Sequence, residues 1–555
     1  MDYQRIFILL GLAVTAYMLI LAWNEDYGSQ SAAEENTSIE TTYTKSATQV
    51  PDLVADTEST VPDLIPETNE ERFEEPVRAV NQTVNIITDV LEIELDLVGG
   101  DIVSVSLPGY PANLDTPDVP FGLVDPRNGY EAQSGLIGPD GTDTSNNRPV
   151  YQVDKYNFEM ASADELVVDL KLAVTDELTV IKQFVFVRGD YLVRVRYLIT
   201  NKSDNDFRAA MFGQIKRDSA TPIMQDTNAM GLRPYVGGAT RTGEELYAKL
   251  EFEDLAEEPF KGKMQGGYMA LVQHYFVSAW IPGAEANNTY QARKLGNQDV
   301  YLFGFTSPLV TIPANSEGSL EAGFYVGPKD QYRLQDLAEG LDLTVDYGFL
   351  WWLAQPLFYL LTMLHDLVDN WGFAIILLTV IVKSLLYPLS ATSFRSMAKM
   401  RKLQPEMVRL KERYGDDRQQ FSQAMMELYK KEGANPLGGC FPILLQMPVF
   451  LALYWTLMES VELRQAPFIL WINDLSVMDP YFVLPILMGV SMYLTQLMQP
   501  EPPDPVQAKV FKLMPIMFTF FFLWFPSGLV LYWLVNNILS IAQQFYVTRQ
   551  IEKGA

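Results

Sequence analysis

Lys383 is the residue of this sequence best placed to act through charge. It stands in WGFAIILLTVIVKSLLYPL, residues 371–389, an apolar run long enough to cross a bilayer. About twelve residues at 1.5 Å each set it about 18 Å from the Trp371 end, inside a hydrocarbon layer of about 30 Å. An ammonium at that depth costs about 2.5–3.5 kcal/mol on insertion scales. It marks either a wet functional cavity or a side chain that snorkels along its stem to the basic side of the membrane. Thr379, Gln446, Gln496, Asn536, Asn537 and Ser540 are uncharged polar residues within the same set of apolar runs. Singly, each reads as interhelical hydrogen bonding; together with Lys383 they read as a polar cavity. The chemistry that follows is attraction, without bond making. The chain has two His and one Cys, and no nucleophile with its base, paired deep carboxylates or metal-ligand spacing accompanies Lys383. No enzymatic activity, cofactor or metal is expected.

The elements that must position these residues are apolar runs near residues 371–390, 441–461, 481–498, 510–525 and 529–547. A further run at 6–23 follows Arg5 and fits a signal peptide or an uncleaved anchor; its length, and the lack of a small-x-small cleavage site before Asn24, favour the anchor. Residues 348–369, GFLWWLAQPLFYLLTMLHDLVD, are also long enough to cross. Gln355, Thr362, Asp366 and Asp369 recur there at helical spacing, and Trp351 and Trp352 suit headgroup level, so the run reads as an interfacial helix. Residues 391–435 are basic, with Arg395, Lys399, Arg401 and Lys402 at their head, which places them in the cytoplasm. Met400, Leu403, Met407, Leu410 and Tyr414, then Phe421, Met425 and Leu428 beyond Gly415-Asp416-Asp417, predict an antiparallel helical hairpin. Its basic face is a solvated surface or a docking surface for lipid headgroups or a partner. Asp474 and Asp479 then fall outside, and Lys509, Lys512, Arg549 and Lys553 inside.

Nearly all the acidity precedes the bundle: residues 24–346 carry a net charge of about −29, against −28 for the whole chain. That excludes a nucleic-acid surface on this part, since phosphate binding needs clustered Lys and Arg. Residues 24–78, rich in Ser, Thr, Glu and Pro, read as a disordered acidic tether. From 79 to 346 the pattern changes to period two, as in VNIITDVLEIELDLV and LTVIKQFVFVRGDYLVRVRYLIT, which predicts an antiparallel β domain of two packed sheets. His274, in LVQHYFVSAW, reads as a satisfied imidazole. No phosphate loop or nucleophile elbow accompanies it. The single Cys440 excludes an internal disulfide.

Four stretches carry a resemblance: SMAKMRKLQPEMVRLKERYGDD (396–417), NPLGGCFPILLQMPVFLALYW (435–455), SVELRQAPFILWINDLS (460–476) and FFLWFPSGLVLYW (521–533). With them the chain resembles the YidC family of membrane-protein insertases, in the long form of Gram-negative inner membranes. The resemblance implies a hydrophilic groove, open to cytoplasm and lipid, with one cation that receives substrate segments. It implies a periplasmic β-supersandwich similar to sugar mutarotases, and work alone or beside the Sec translocon. The groove cation is commonly Arg in the family; Lys383 stands at that position here, keeping the charge without the planar fork. The chain also ends in RQIEKGA, without the long basic tail of many relatives.

The expected architecture is therefore a membrane α-helical bundle of six transmembrane helices, one anchor plus a five-helix core, with a periplasmic all-β supersandwich and a cytoplasmic helical hairpin. Its divisions are an anchor at 1–23, the tether at 24–78, the β domain at 79–346, the interfacial helix at 347–370 and the second span at 371–390. The hairpin at 391–435, four more spans within 436–547 and a short cytoplasmic tail at 548–555 follow. Both termini are expected inside. Lys383 is expected as the groove cation, Thr379, Gln446 and Asn536 as polar lining, and Tyr532 and Trp533 as aromatic wall. Expected partners are nascent membrane proteins and membrane lipids, with the Sec translocon and the ribosome or targeting factors reached through the hairpin. A channel or small-molecule transporter, and a carbohydrate-binding or carbohydrate-active β domain, are the alternatives from other classes.

Overall fold

The computed structural model describes residues 83–144, 148–220, 234–414, 417–432, 441–499 and 505–553. The expected anchor, the tether and Cys440 lie outside these residues.

Period-two patterning becomes two sheets, of eleven and eight strands among the described residues. Leu192–Asn201, LVRVRYLITN, alternates half-buried and buried positions along its length and pairs antiparallel with Leu178–Val187 and Ser316–Pro328. In the larger sheet Phe207–Arg217 pairs antiparallel with Glu131–Ile137 and Tyr301–Thr306. Among the described residues the one parallel pairing joins Thr83–Ile87 to Asn157–Glu159. Inward side chains of the two sheets, among them Val195, Tyr197, Trp280, Phe303, Phe305 and Phe324, form one core. Two buried cations are held within it: Lys182 donates to the carbonyls of Gly99 and Ser134 at 2.9 and 3.1 Å, and Arg148 lies 2.6 Å from Asp101 and 2.8 Å from Asp143. Gly99, at φ 76°, has no room for a Cβ beside the Arg148 guanidinium, so the turn there requires glycine.

The helices follow in chain order: α1 (Phe252–Glu257) and α2 (Gln331–Leu337) within the β half, then α3 (Trp351–Val368), α4 (Trp371–Leu385), α5 (Tyr387–Tyr414), α6 (Arg418–Lys431), α7 (Phe441–Glu459), α8 (Val483–Leu497), α9 (Pro505–Phe521) and α10 (Ser527–Lys553). α3 buries Ala354, Leu357, Phe358, Leu361 and Leu364 against α4 and α7 and leaves Trp351, Trp352, Tyr359, Met363 and Leu367 exposed. Its exposed face is thus more apolar than the expected row of Gln355, Thr362, Asp366 and Asp369. α3 ends on Asp369 in the left-handed region at φ 51°, and Asn370 caps α4 by accepting from the Phe373 N–H at 3.1 Å.

No single described helix is both long and apolar enough to cross a membrane alone; α4 and α5 pass that test only as a pair bent by 68°. The helix expected over 371–390 ends at Leu385, and Pro388 accounts for the break. Proline has no N–H for the Ser384 carbonyl, and its ring disfavours helical backbone at the residue before it. α5 therefore starts inside the expected span and runs 28 residues. Its first part packs Ala391, Phe394 and Met397 against Val547 of α10, and its far part meets α6 through Met407, Met425 and Leu428. α10 continues past the expected limit at 547 to Lys553. α9 begins five residues before the expected 510 and gives way at Phe522 to a 3-10 turn, Phe522–Trp524. Asp474 and Asp479, read as charges of an outer loop, are buried and spent on the chain itself. Asp479 accepts from the Leu484 N–H at 2.7 Å and the Trp471 indole at 2.9 Å, and Asp474 from Ser476.

Candidate substrate groove and its support

Lys383, on the last turn of α4, is 6% exposed and points between α7 and α10. Its ammonium donates to Ser540 Oγ at 2.8 Å and, weakly, to Gln446 Oε1 at 3.5 Å. Gln446 donates from Nε2 to Asn536 Oδ1, and the Ser540 hydroxyl donates to the Asn536 carbonyl at 2.7 Å. Both groups facing Lys383 present oxygen, and each is fixed in that sense by its bond to Asn536. Among the described residues no carboxylate pairs with Lys383. An ammonium has three N–H donors, and the described residues satisfy one well and one weakly. Positive charge and a donor remain for an incoming oxygen.

The expected lining divides. Gln446 and Asn536 join Lys383 in one network from three helices. Thr379 lies one turn before Lys383 on α4, but its hydroxyl donates to the Ile375 carbonyl at 2.7 Å and the residue is 1% exposed. It belongs to the packing beside the network. Gln496 and Asn537 are elsewhere: Gln496 donates to the Phe511 carbonyl, joining α8 to α9, and Asn537 to Ser491 at 3.0 Å, joining α10 to α8. Ser540, outside the expected set of six site residues, makes the shortest bond to Lys383; its place one turn after Asn536 on α10 was the signal for it.

Tyr532 is buried beside Gln446, and the Trp533 indole N–H has no hydrogen-bond partner among the described residues. The Trp533 ring packs edge-on to Phe450 at 4.6 Å and against Phe522 at 5.3 Å. Phe450 lies one turn from Gln446, and Trp533 one and two turns from Asn536 and Ser540. The aromatic cluster and the polar network therefore share one seam between α7 and α10.

At the far end of α7 the bundle meets the β domain. Lys329 reaches Glu459 at 2.6 Å and the Thr344 carbonyl at 3.2 Å. His274 Nε2 lies 2.8 Å from the Met458 carbonyl, so the neutral ring donates there; burial, and the nearby Lys329 and Arg464, hold its pKa down at about 3. The satisfied imidazole expected from the sequence is what the fold shows. Arg464 donates to the Pro111 carbonyl at 2.7 Å and stands over the rings of Phe121 and Phe276. Glu462 makes no ion pair and no hydrogen bond to another residue among those described, and burial pushes its carboxyl up to about 7.

Comparison with known proteins matches two family descriptions: YidC periplasmic domain over residues 83–360, and 60Kd inner membrane protein over residues 363–554. The chain is similar to the membrane protein insertase YidC of Cellvibrio japonicus (strain Ueda107), at 49% identity over 557 residues, covering 100% of this chain and 99% of that one. It is similar to the protein of the same name from Stutzerimonas stutzeri (strain A1501), at 51% identity over 561 residues and 100% of both chains. A crystal structure described as an active YidC insertase with its first transmembrane domain resolved shares 20% identity over 85% of this chain and 93% of its own, with a TM-score of 0.39.

Proposed function

The chain belongs to the YidC family of membrane protein insertases, inner-membrane proteins with a periplasmic domain, and from that premise we propose how its own residues insert a client. A nascent hydrophobic segment with a short polar or acidic flank enters the seam between α7 and α10 from the cytoplasm. The flank is drawn to Lys383 while the apolar part passes along the Phe450, Phe522 and Trp533 rings into lipid. Burial of apolar surface, at about 25 cal/mol per Å², drives the transfer. The network lowers the barrier for the flank by offering fixed dipoles and one cation midway. The observation that carries this reading is the Lys383 ammonium, buried among neutral oxygens with no carboxylate partner among the described residues. The solute-channel and sugar-binding readings have no comparable observation behind them.

In this reading the N-terminal anchor and five core segments give six spans, with both termini and the α5–α6 hairpin in the cytoplasm and the β domain in the periplasm. The exposed Arg401, Lys402 and Arg409 of the hairpin are the surface offered to lipid headgroups and to the ribosome or targeting factors, and the Sec translocon is a partner for longer clients. Basic residues on the inner side support that orientation.

Photocrosslinking to a stalled nascent membrane protein tests the groove. A crosslinker at Trp533 is expected to capture the client, and one at Ile538, on the exposed side of the same helix, to capture it less. Capture at Ile538 alone would sink the groove assignment.

A further inference from the structure

Where the β domain rests on the segment after α7 there is a cavity of about 580 Å³ lined by Tyr110, Tyr191, Asp330, Glu462, Arg464 and Gln465, with five smaller or apolar neighbours. Most of its polar groups are already used. Arg464 and Gln465 both donate to the Pro111 carbonyl, at 2.7 and 3.1 Å. Asp330 caps α2, accepting from the N–H groups of Tyr332 and Arg333 at 3.0 and 3.2 Å. Glu462 is the exception: its part-buried carboxylate lines the cavity and makes no ion pair among the described residues. The two tyrosines neighbour each other there, Tyr110 edge-on to Phe276 at 5.3 Å and Tyr191 against Tyr325 at 6.4 Å, and are held in place by those rings.

A lone carboxylate beside fixed aromatic rings is complementary to an ammonium group, which gains a charge-assisted hydrogen bond and a cation–π contact at once. The position of the cavity selects the source. It opens beside the outer end of α7, and Tyr332, half exposed, stands within electrostatic reach of both Glu462 and Tyr359 on the exposed face of α3. That face carries Trp351 and Trp352, the residue types that anchor at the headgroup layer. We propose that this cavity binds the ammonium of an ethanolamine phospholipid headgroup from the outer leaflet, with Glu462 as its counter-charge and Tyr110 and Tyr191 as its aromatic wall. The volume is within the ordinary range of small-ligand sites and admits the headgroup without the acyl chains. A bound headgroup would sit where the β domain, α3 and α7 meet. The inference needs only the inner-membrane placement of the chain and is independent of the role given to Lys383.

The test uses the purified full chain at about pH 8, where Glu462 is ionised, with lipid retention read by native mass spectrometry. The probes are phosphatidylethanolamine, its N-acetylated form, which lacks the cation, and phosphatidylglycerol. The parent is expected to hold phosphatidylethanolamine about tenfold more tightly than the N-acetylated lipid, the size of one charge-assisted hydrogen bond. Glu462→Gln should abolish that difference and leave phosphatidylglycerol unchanged. Glu462→Gln removes a part-buried charge that has no ion-pair partner among the described residues, so it should fold at least as well as the parent, and Tyr110→Leu supplies a second variant with the same expected direction. Equal retention of the two ethanolamine lipids by the parent, or retention unchanged in Glu462→Gln, overturns the proposal. So does a lysine-containing peptide that binds through Glu462 when the lipid does not, which would assign the cavity to a translocated protein segment. Insertion of a client by Glu462→Gln, assayed separately, is expected at the parent rate; a parent protein that retains phosphatidylethanolamine as expected but inserts no client would count against the insertion mechanism and not against this site.

Discussion

Lys329 Nζ and the Glu459 carboxylate are 2.6 Å apart with side chains 2% and 6% exposed, one from the β domain and the other from the last residue of α7. Each is the other's only ion-pair partner among the described residues. The two halves of the chain are thus joined by a buried pair whose charges depend on one another.

Breaking that pair from one side is expected to cost far more than removing it. Lys329→Met leaves a buried carboxylate unpaired and should destabilise the protein by about 3–5 kcal/mol, whereas Lys329→Met with Glu459→Leu should recover most of the loss. Thermal unfolding in detergent checks this, and equal destabilisation of the single and double variants would refute it. Deleting residues 79–329 strands Glu459 in the same way. The expectation that a small client is still inserted without the β domain is therefore to be tested in a Glu459→Gln background, by insertion into vesicles at matched protein levels.

Lys383→Arg should insert clients with an acidic translocated flank about as well as the parent. Lys383→Gln should slow them by about tenfold to a hundredfold, the equivalent of about 1–3 kcal/mol of barrier, and affect neutral-flank clients less. Insertion rates into vesicles for two clients differing only in flank charge decide the matter. Equal slowing of both would reduce Lys383 to a structural residue.

Gln446 and Asn536 are coupled through the bond that aims the Gln446 oxygen at Lys383. Asn536→Leu is expected to free that amide and slow acidic-flank clients, and adding Gln446→Leu should cost less than the sum of the two single changes. Ser540→Ala, which removes the 2.8 Å acceptor, should act in the same direction with a smaller effect, about threefold, because the ammonium keeps its charge. Strict additivity in the Gln446/Asn536 cycle would contradict the network.

His274 makes the contact between the β domain and α7 sensitive to acid. Its folded pKa, about 3, lies below the ordinary value of 6.5, so the unfolded state takes up a proton first as pH falls. The stability this residue contributes is complete above about pH 6.5 and is lost steadily toward pH 3, by about 1–2 kcal/mol between pH 7.5 and 5.5. Denaturant unfolding across that window should show the parent losing stability relative to His274→Gln by that amount as the pH falls.

The β domain was legible because period-two alternation is written into each strand, as in LVRVRYLITN, and survives burial on one face. That Lys383 is set among apolar residues was legible from hydropathy alone. Its partners were not: Gln446, Asn537 and Gln496 are the same kind of signal in a sequence, and only packing decides that the first meets Lys383 while the other two join neighbouring helices. Hydropathy also hid the break at Leu386, since Pro388 interrupts the backbone without interrupting the apolar run. Asp474 and Asp479 read as surface charge because a cap and a loop acid look alike until the helix start is known.

The break at Leu386 gives the molecule unequal gearing. α5 is about 42 Å long at helical rise, and its break from α4 lies about three residues from Lys383. A tilt of about 10° would carry its far end through about 7 Å but would move backbone as near the pivot as Lys383 by less than about 1 Å. A load on the tip of the hairpin that tilted α5 would therefore leave the cation, tied to Ser540 on α10, close to its place. Displacement at the tip of the α5–α6 hairpin is thus geometrically insulated from the position of Lys383.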